Sequence, residues 1–232
     1  MNFFERIAEV FKTEVYINTL LDGLKTTAYI TACAVLIGLF LGTVVATIKI
    51  VAKHNRYFKI PSYICDIYLG VIRGTPVALQ LFIMVFAIFA IRGFPLEIVA
   101  ILTFGINSGA YVAESLRAGI QSVDSGQLEA ARSLGLGFGT SMVRIVLPQA
   151  IKNVVPTIGN EVIALLKETS IVSMVGLIDL TFAAQIIGSG QYMSEYLVPM
   201  IVAALFYLAI VYLIILAVKL IERRMAKSDR NR

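Results

Sequence analysis

The sequence predicts an all-α integral membrane protein with five transmembrane helices, N-terminus outside and C-terminus inside. Three observations carry that expectation: an apolar composition, uncharged runs of spanning length, and basic residues gathered on one side. Of 232 residues, 58% are hydrophobic and 15% are charged, with a mean hydropathy of +0.84. Soluble domains carry roughly 45–50% apolar and about 25% charged residues. Soluble globular, disordered, collagen-like and disulfide-scaffold classes are therefore excluded. Five spans of about 20 residues need roughly 100 positions, which the chain supplies with loops to spare.

The elements follow in chain order. Residues 1–19 form an amphipathic segment, in which Phe3, Phe4, Ile7, Val10 and Phe11 alternate with Glu5, Arg6, Glu9 and Lys12 at helical spacing. A helix on the outer membrane surface fits that pattern, and a frayed soluble tail is the alternative. Met1–Phe11 has neither the basic region nor the small-residue cleavage site of a signal peptide, so the first span is expected to act as its own insertion signal. That span is Thr26–Ile48, 23 uncharged residues between Lys25 and Lys49. Gly74–Ile91 gives 18 more uncharged residues, preceded by Tyr63–Ile72, which only Asp66 interrupts. A third span runs from Pro95 to about Arg117. A fourth, Pro156–Asp179, is apolar apart from Glu161, Lys167 and Glu168. The last is Tyr196–Val218, again 23 uncharged residues.

Orientation follows from Lys and Arg in the flanks. With the N-terminus outside, sixteen of the twenty Lys/Arg fall inside, and only Arg6, Lys12, Lys25 and Arg92 fall outside. The basic tail, residues 221–232, is then cytoplasmic. Topology thus accounts for the net charge of +5, and nucleic acid is excluded as a partner. Cys33 and Cys65 lack metal-site spacing and read as buried reduced thiols. His54 reads as a solvated loop residue. At Arg73-Gly74-Thr75-Pro76, Pro76 fits the first turn of a spanning helix, Thr75 fits its cap, and Arg73 fits an anchor at lipid phosphates. Gly38/Gly42 and Gly105/Gly109 are G-x-x-x-G pairs that permit close helix packing without naming the partner helix.

Residues 118–155 are too polar to span and too long for a simple connector. Ser125 to Leu134 contains good helix formers, and Gly135, Gly137 and Gly139 then break the helix. A second short helix is expected from about Thr140, ending before Pro148. Leu128, Ala131, Arg132 and Gly135 share one side of the first helix, where small residues admit another protein's surface. A self-contained surface hairpin is the alternative.

Within this loop stand Glu129-Ala130-Ala131, then Gly135, Ile145 and Leu147-Pro148, at spacings that resemble the EAA loop of ATP-binding-cassette (ABC) importer permeases. Arg73-Gly74-Thr75-Pro76, Asn107 to Ile120 (NSGAYVAESLRAGI) and Lys167 to Ser173 (KETSIVS) resemble segments of the polar amino acid branch, the histidine/glutamine/arginine/opine type. Glu168 stands where that branch more often has Asp, a conservative departure. The resemblance covers residues 20–220 and implies an ABC type-1 transmembrane domain. It also implies a cytoplasmic ABC ATPase dimer, an extracytoplasmic amino-acid-binding protein, and a second permease subunit, identical or a close relative. The coupling residues it implies are Glu129, Ala130, Ala131, Gly135, Ile145 and Pro148. The bacterial cytoplasmic membrane is the implied location.

The chain has no phosphate-binding loop, no metal-ligand cluster and no nucleophile–base pair. No cofactor is therefore expected on it, and ATP and Mg are expected on the partner ATPase. Charged groups within the bilayer cost roughly 2.5–3.5 kcal/mol on insertion scales and face protein or water. Asn107, Tyr111 and Glu114 form one polar stripe; Asn160 and Lys167 share a face of helix four beside Glu161. With Thr169 and Ser170, these residues are the expected substrate path for an amino acid. The alternative has Lys167 and Glu168 snorkelling at the inner interface and Glu161 paired with Arg117 or Lys152. Acidic Glu114 and Glu161 weakly favour a basic amino acid. Two other functions stay open at this level: an ion-coupled secondary transporter or channel acting alone, and an intramembrane enzyme.

Overall fold

A computed structural model describes residues 3–53, 55–191 and 196–230, and no strand occurs among them. His54, expected in a solvated loop, lies outside the described residues, as does the end of the basic tail. Helix α1 is Phe3–Lys12 and α2 is Glu14–Ala52. At 1.5 Å per residue the 39 residues of α2 run roughly 58 Å, well beyond a hydrocarbon core of about 30 Å. The amphipathic segment and the first span therefore meet at Thr13, inside the segment assigned to residues 1–19.

A 3-10 turn, Arg56–Phe58, is capped by Asn55, whose Oδ1 accepts from the Tyr57 N–H at 3.0 Å. It leads into α3, Lys59–Gly74, and then α4, Val77–Ile83, which a π turn prolongs to Ile88. This corrects the expected start at Thr75-Pro76. Pro76, with ψ of 135°, is the cap residue, and no side chain caps α4. Thr75 instead accepts from Gln80 Nε2, at 2.9 Å on Oγ1. The pyrrolidine ring disfavours helical dihedrals at the preceding residue, so the helical run breaks here and the segment is a bent pair.

Helix α5 is Leu96–Gln121 and runs four residues past the expected end. Helix α6, Ser125–Ser133, matches the first loop helix. The second does not stop at Pro148. Helix α7, Phe138–Ser141, passes through a π turn, Met142–Val146, straight into α8, Leu147–Glu168. Widening the turn ahead of Pro148 removes the clash between its ring and the preceding carbonyls. The second half of the polar loop, from Phe138, and the start of the fourth span are thus one helical run. A 3-10 turn, Thr169–Val175, ends it, so nearly half of the expected span is not α-helical. Helices α9, Leu180–Ile186, and α10, Leu197–Arg230, complete the fold.

Among the described residues, three helices are long and apolar enough to cross a membrane: Glu14–Ala52, Leu96–Gln121 and Leu197–Ala226. The number rises to five if each of two bent pairs is one span. The chain is a multi-pass integral membrane protein.

Its contacts divide into two compact units. The first comprises residues 1–36, 75–105 and 163–213. Its core joins Val10, Tyr16 and Leu20 to Leu180, Ala183, Ala184, Ile187, Val198 and Val202. Val10 is fully buried and the Phe11 ring lies 6.3 Å from that of Phe206, so protein takes part of the apolar edge of α1.

The second unit comprises residues 37–74, 106–162 and 214–232. There α5 is the partner of the Gly38/Gly42 pair. A Cβ on Gly38 would stand 2.7 Å from Ser108 Oγ, and one on Gly42 would stand 2.5 Å from Val112. Only glycine allows this approach. Tyr68 Oη donates to the Ile106 carbonyl at 2.6 Å, and Val45, Cys65 and Ala113 form a small core beside it. Both cysteines are free, Cys65 buried and Cys33 half-buried.

Candidate functional site

The loop between α5 and α8 is built by its two ends. Asp124 begins α6 by accepting from the Gly126 N–H at 2.8 Å. Gly135, at φ +84°, ends it. The Gly135 N–H donates to the Arg132 carbonyl at 2.9 Å and the Leu136 N–H to the Ala131 carbonyl at 3.2 Å. This left-handed cap satisfies the last carbonyls and turns the chain sharply. Asn153 of α8 ties back to Ser122 at 2.8 Å, and Gln149 lies 3.4 Å from Gln127.

The surface so formed presents Glu129, Ala130, Gly135 and Pro148, all exposed, with Ile145 half-buried. Leu134 is 83% exposed, an apolar tip beside the glycine. Ala131 departs from expectation: at 2% exposure it packs into its own chain and supplies no contact surface. Sequence inspection missed Asp124 and Leu134. An aspartate just ahead of a run of helix formers is the signal for the first.

The substrate-path residues divide between the two units. In the second unit, α5 carries buried Asn107, exposed Tyr111 and half-buried Glu114. Glu114 is already engaged. Arg117 Nε donates to its Oε2 at 3.0 Å, Arg117 Nη2 bonds its Oε1, and Arg73 Nη1 lies 3.7 Å away. Arg73 also sits 5.8 Å from the centre of the Tyr111 ring. Arg73 is therefore part of this side-chain cluster and not an anchor on lipid phosphate alone. Arg117 spends its remaining nitrogen on Gln121 at 2.5 Å, so its partners are Glu114 and Gln121 where Glu161 was one expectation. Lys49 pairs with Asp66. A cavity of about 120 Å³ is lined by Lys49, Leu69, Glu114 and Arg117. Lys49, Asp66 and Arg73 were not singled out as path residues, although a charge interrupting an apolar run calls for a partner.

On α8, Asn160 is exposed and Glu161 half-buried. In the first unit Lys167 is exposed, but Thr169 is fully buried with its hydroxyl bonded to the Leu166 carbonyl at 2.6 Å. Ser170 Oγ bonds the Lys167 carbonyl at 2.8 Å. Thr169 therefore closes the helix end and presents nothing to a passing solute. Lys167 and Ser170 border a cavity of about 270 Å³ with Thr181, Met200 and Tyr207. Beneath it lies Asp179, fully buried, which accepts from the N–H groups of Thr181 at 3.1 Å and Phe182 at 2.8 Å and from Tyr207 Oη at 3.2 Å. Thr27 Oγ1 accepts from the Leu180 N–H at 3.2 Å.

Comparison with known proteins adds an independent line. Residues 34–227 match the family model described as the inner membrane component of binding-protein-dependent transport systems. An arginine transport system permease protein of Bacillus subtilis, ArtQ, is 40% identical over 90% of this chain and 94% of its own. A Rickettsia bellii protein named for glutamine transport, GlnP, is also 40% identical, over 90% and 94%. Among solved structures, a chain of an amino acid ABC transporter crystallised with histidines has a TM-score of 0.82. It is 37% identical and covers 97% of this chain and 99% of its own. A chain of the inward-facing MetNI methionine transporter shares the fold at a TM-score of 0.75 and 20% identity.

Proposed function

Because the chain belongs to the family of inner membrane components of binding-protein-dependent transport systems, we propose that it is the permease subunit that carries polar amino acids across a bacterial cytoplasmic membrane. It is a transport component, and the relatives named for arginine and glutamine support the substrate class. One observation carries the coupling: α7 runs through the π turn into α8 without a break, and the Gly135 turn ties α6 to its start. A push on the exposed loop is delivered to the residues that continue as the fourth span. ATP is hydrolysed on a separate cytoplasmic ATPase dimer that grips Glu129, Ala130 and Leu134. An extracytoplasmic binding protein delivers the substrate, and a second permease chain completes the path. Transport proceeds by alternating access with five spans, N-terminus out and C-terminus in, each bent pair counting as one.

Residues 1–19, 20–220 and 221–232 serve as outer segment, transport domain and cytoplasmic tail. The substrate path uses Asn107, Tyr111, Asn160, Glu161, Lys167 and Ser170. Glu114, neutralised by Arg117 and Arg73, no longer favours a basic amino acid. Family membership disfavours an ion-coupled transporter acting alone.

Affinity purification of the tagged chain in mild detergent, with its partners identified by mass spectrometry, tests this. A soluble protein with a phosphate-binding loop is expected to co-purify and to be lost in Glu129→Lys, with the permease still inserted. A chain that emerges alone and moves solute under an ion gradient overturns the proposal.

A further inference from the structure

The chain turns a corner where the uncharged run of α2 ends. That run stops at Lys49, α2 stops at Ala52, and α3 begins at Lys59. The turn is held by its own groups. The Asn55 N–H donates to the Val51 carbonyl at 2.9 Å, the Phe58 N–H to the Asn55 carbonyl at 3.1 Å, and the Tyr57 N–H to the Asn55 side chain. Within this corner, and wholly within the second unit, lies a cavity of about 350 Å³ whose polar lining is Lys49, Lys53, Lys59, Ser62, Tyr63 and Asp66. It falls in the range of roughly 300–1,000 Å³ typical of small-molecule pockets. Its charges do not cancel. Lys49 and Asp66 pair with each other. Lys53 and Lys59 are exposed, one at each end of the turn, and among the described residues neither ammonium group has an ion-pair or hydrogen-bond partner. Two uncompensated cations beside the hydroxyls of Ser62 and Tyr63 suit a phosphate diester.

On α3 an apolar row runs beside the cavity, one position round the helix from Lys59, Tyr63 and Asp66. Ile60 is 75% exposed, Ile64 61% and Ile67 51%. Residues at i, i+4 and i+7 share a helix face, so the three isoleucines form a strip that leads away from the cavity mouth. A soluble phosphate has no use for that strip, whereas acyl chains lie along it. Tyr63, also exposed, stands between the two rows, and a ring with a polar tip is the side chain favoured at a membrane surface. Basic pockets between membrane helices on the cytoplasmic side bind anionic headgroups.

We propose that this corner binds one anionic phospholipid, phosphatidylglycerol in chemistry, with Lys53 and Lys59 on its phosphate and the acyl chains along Ile60, Ile64 and Ile67. The topology given under Proposed function decides only which leaflet supplies it. The bound phosphate bridges the end of α2 and the start of α3 and relieves the repulsion between their two lysines.

The test is native mass spectrometry of the full chain, delipidated in mild detergent and titrated with phosphatidylglycerol or phosphatidylcholine. A single phosphatidylglycerol is expected to stay bound while phosphatidylcholine does not. Each basic side chain near a membrane surface contributes about five-fold, so Lys53→Gln with Lys59→Gln is expected to weaken binding roughly thirty-fold. Lys53→Arg with Lys59→Arg keeps the charge and is expected to retain binding, which separates loss of the site from loss of the fold. Lys219→Gln with Arg223→Gln removes two exposed cations from α10 and is expected to leave binding unchanged. Unchanged binding in the Lys53/Lys59 Gln pair overturns the proposal, as does an equal loss in the α10 pair, which would mean that any surface cation serves. Displacement of the lipid by inorganic phosphate also overturns it, marking a free-anion site, and displacement by added ATPase subunit overturns it by marking a protein-covered one. Lipid retention is read on the chain itself, so its failure leaves the transport proposal standing, and the reverse holds for Glu129→Lys.

Discussion

Two aspartates each begin a helix in this molecule, and their surroundings are opposite. Asp124 starts α6 in the exposed loop and meets a single backbone N–H. Asp179 starts α9 in the core of the first unit, fully buried, and meets two backbone N–H groups and the Tyr207 hydroxyl. A left-handed glycine stands near each: Gly135 ends α6, and Gly176 ends the turn just ahead of α9, both at φ +84° with open space around the position of a Cβ. The local chemistry is shared, so the difference lies in what water does when the cap is removed. At Asp124 water replaces the carboxylate. At Asp179 nothing does.

The largest expected effect is therefore Asp179→Ala. It leaves two N–H groups without their acceptor, while the Tyr207 hydroxyl keeps Thr181 Oγ1 at 3.2 Å, at a cost of about 3 kcal/mol. The chain contains no tryptophan, so unfolding of the detergent-solubilised protein is best followed by far-ultraviolet circular dichroism. A loss of stability no greater than that of Asp124→Ala would break the comparison. Gly135→Ala and Gly176→Ala come next, and they are expected to be equal, at about 1–2 kcal/mol each for the left-handed backbone. A marked inequality between them would mean that neighbours, and not φ, set the cost. Asp124→Ala is the smallest at about 1 kcal/mol, the usual worth of an exposed N-cap.

The same contrast explains what could be read from the sequence. The membrane class, the start of α5, the first loop helix and the family resemblance follow from local patterns: uncharged runs, helix formers and glycine spacing. Asp179 looked like the end of a span because its neighbours are apolar; its role as a cap needs Thr181, Phe182 and Tyr207 around it, and Tyr207 is 28 residues away. Glu114 read as part of a polar stripe on a path, but the sequence did not name its partner: Arg73, 41 residues earlier, lies beside it. Thr169 sits in a motif that resembles a transport segment, but burial and a backbone hydrogen bond give it to the helix end. Pro148 was expected to stop a helix. A π turn, an adjustment set by the wider packing, carries the helix through it.

By itself the sequence determined that the chain enters a membrane, which loop is polar, and which glycines break or tighten helices. Those properties depend on transfer free energy and backbone sterics over a few residues at a time. Only the tertiary structure decided which charges pair, which hydroxyls are occupied, and that the second half of the polar loop is continuous with the following span. Pairing inside an apolar protein is set by which helices bring their side chains together, and separation along the chain does not encode that.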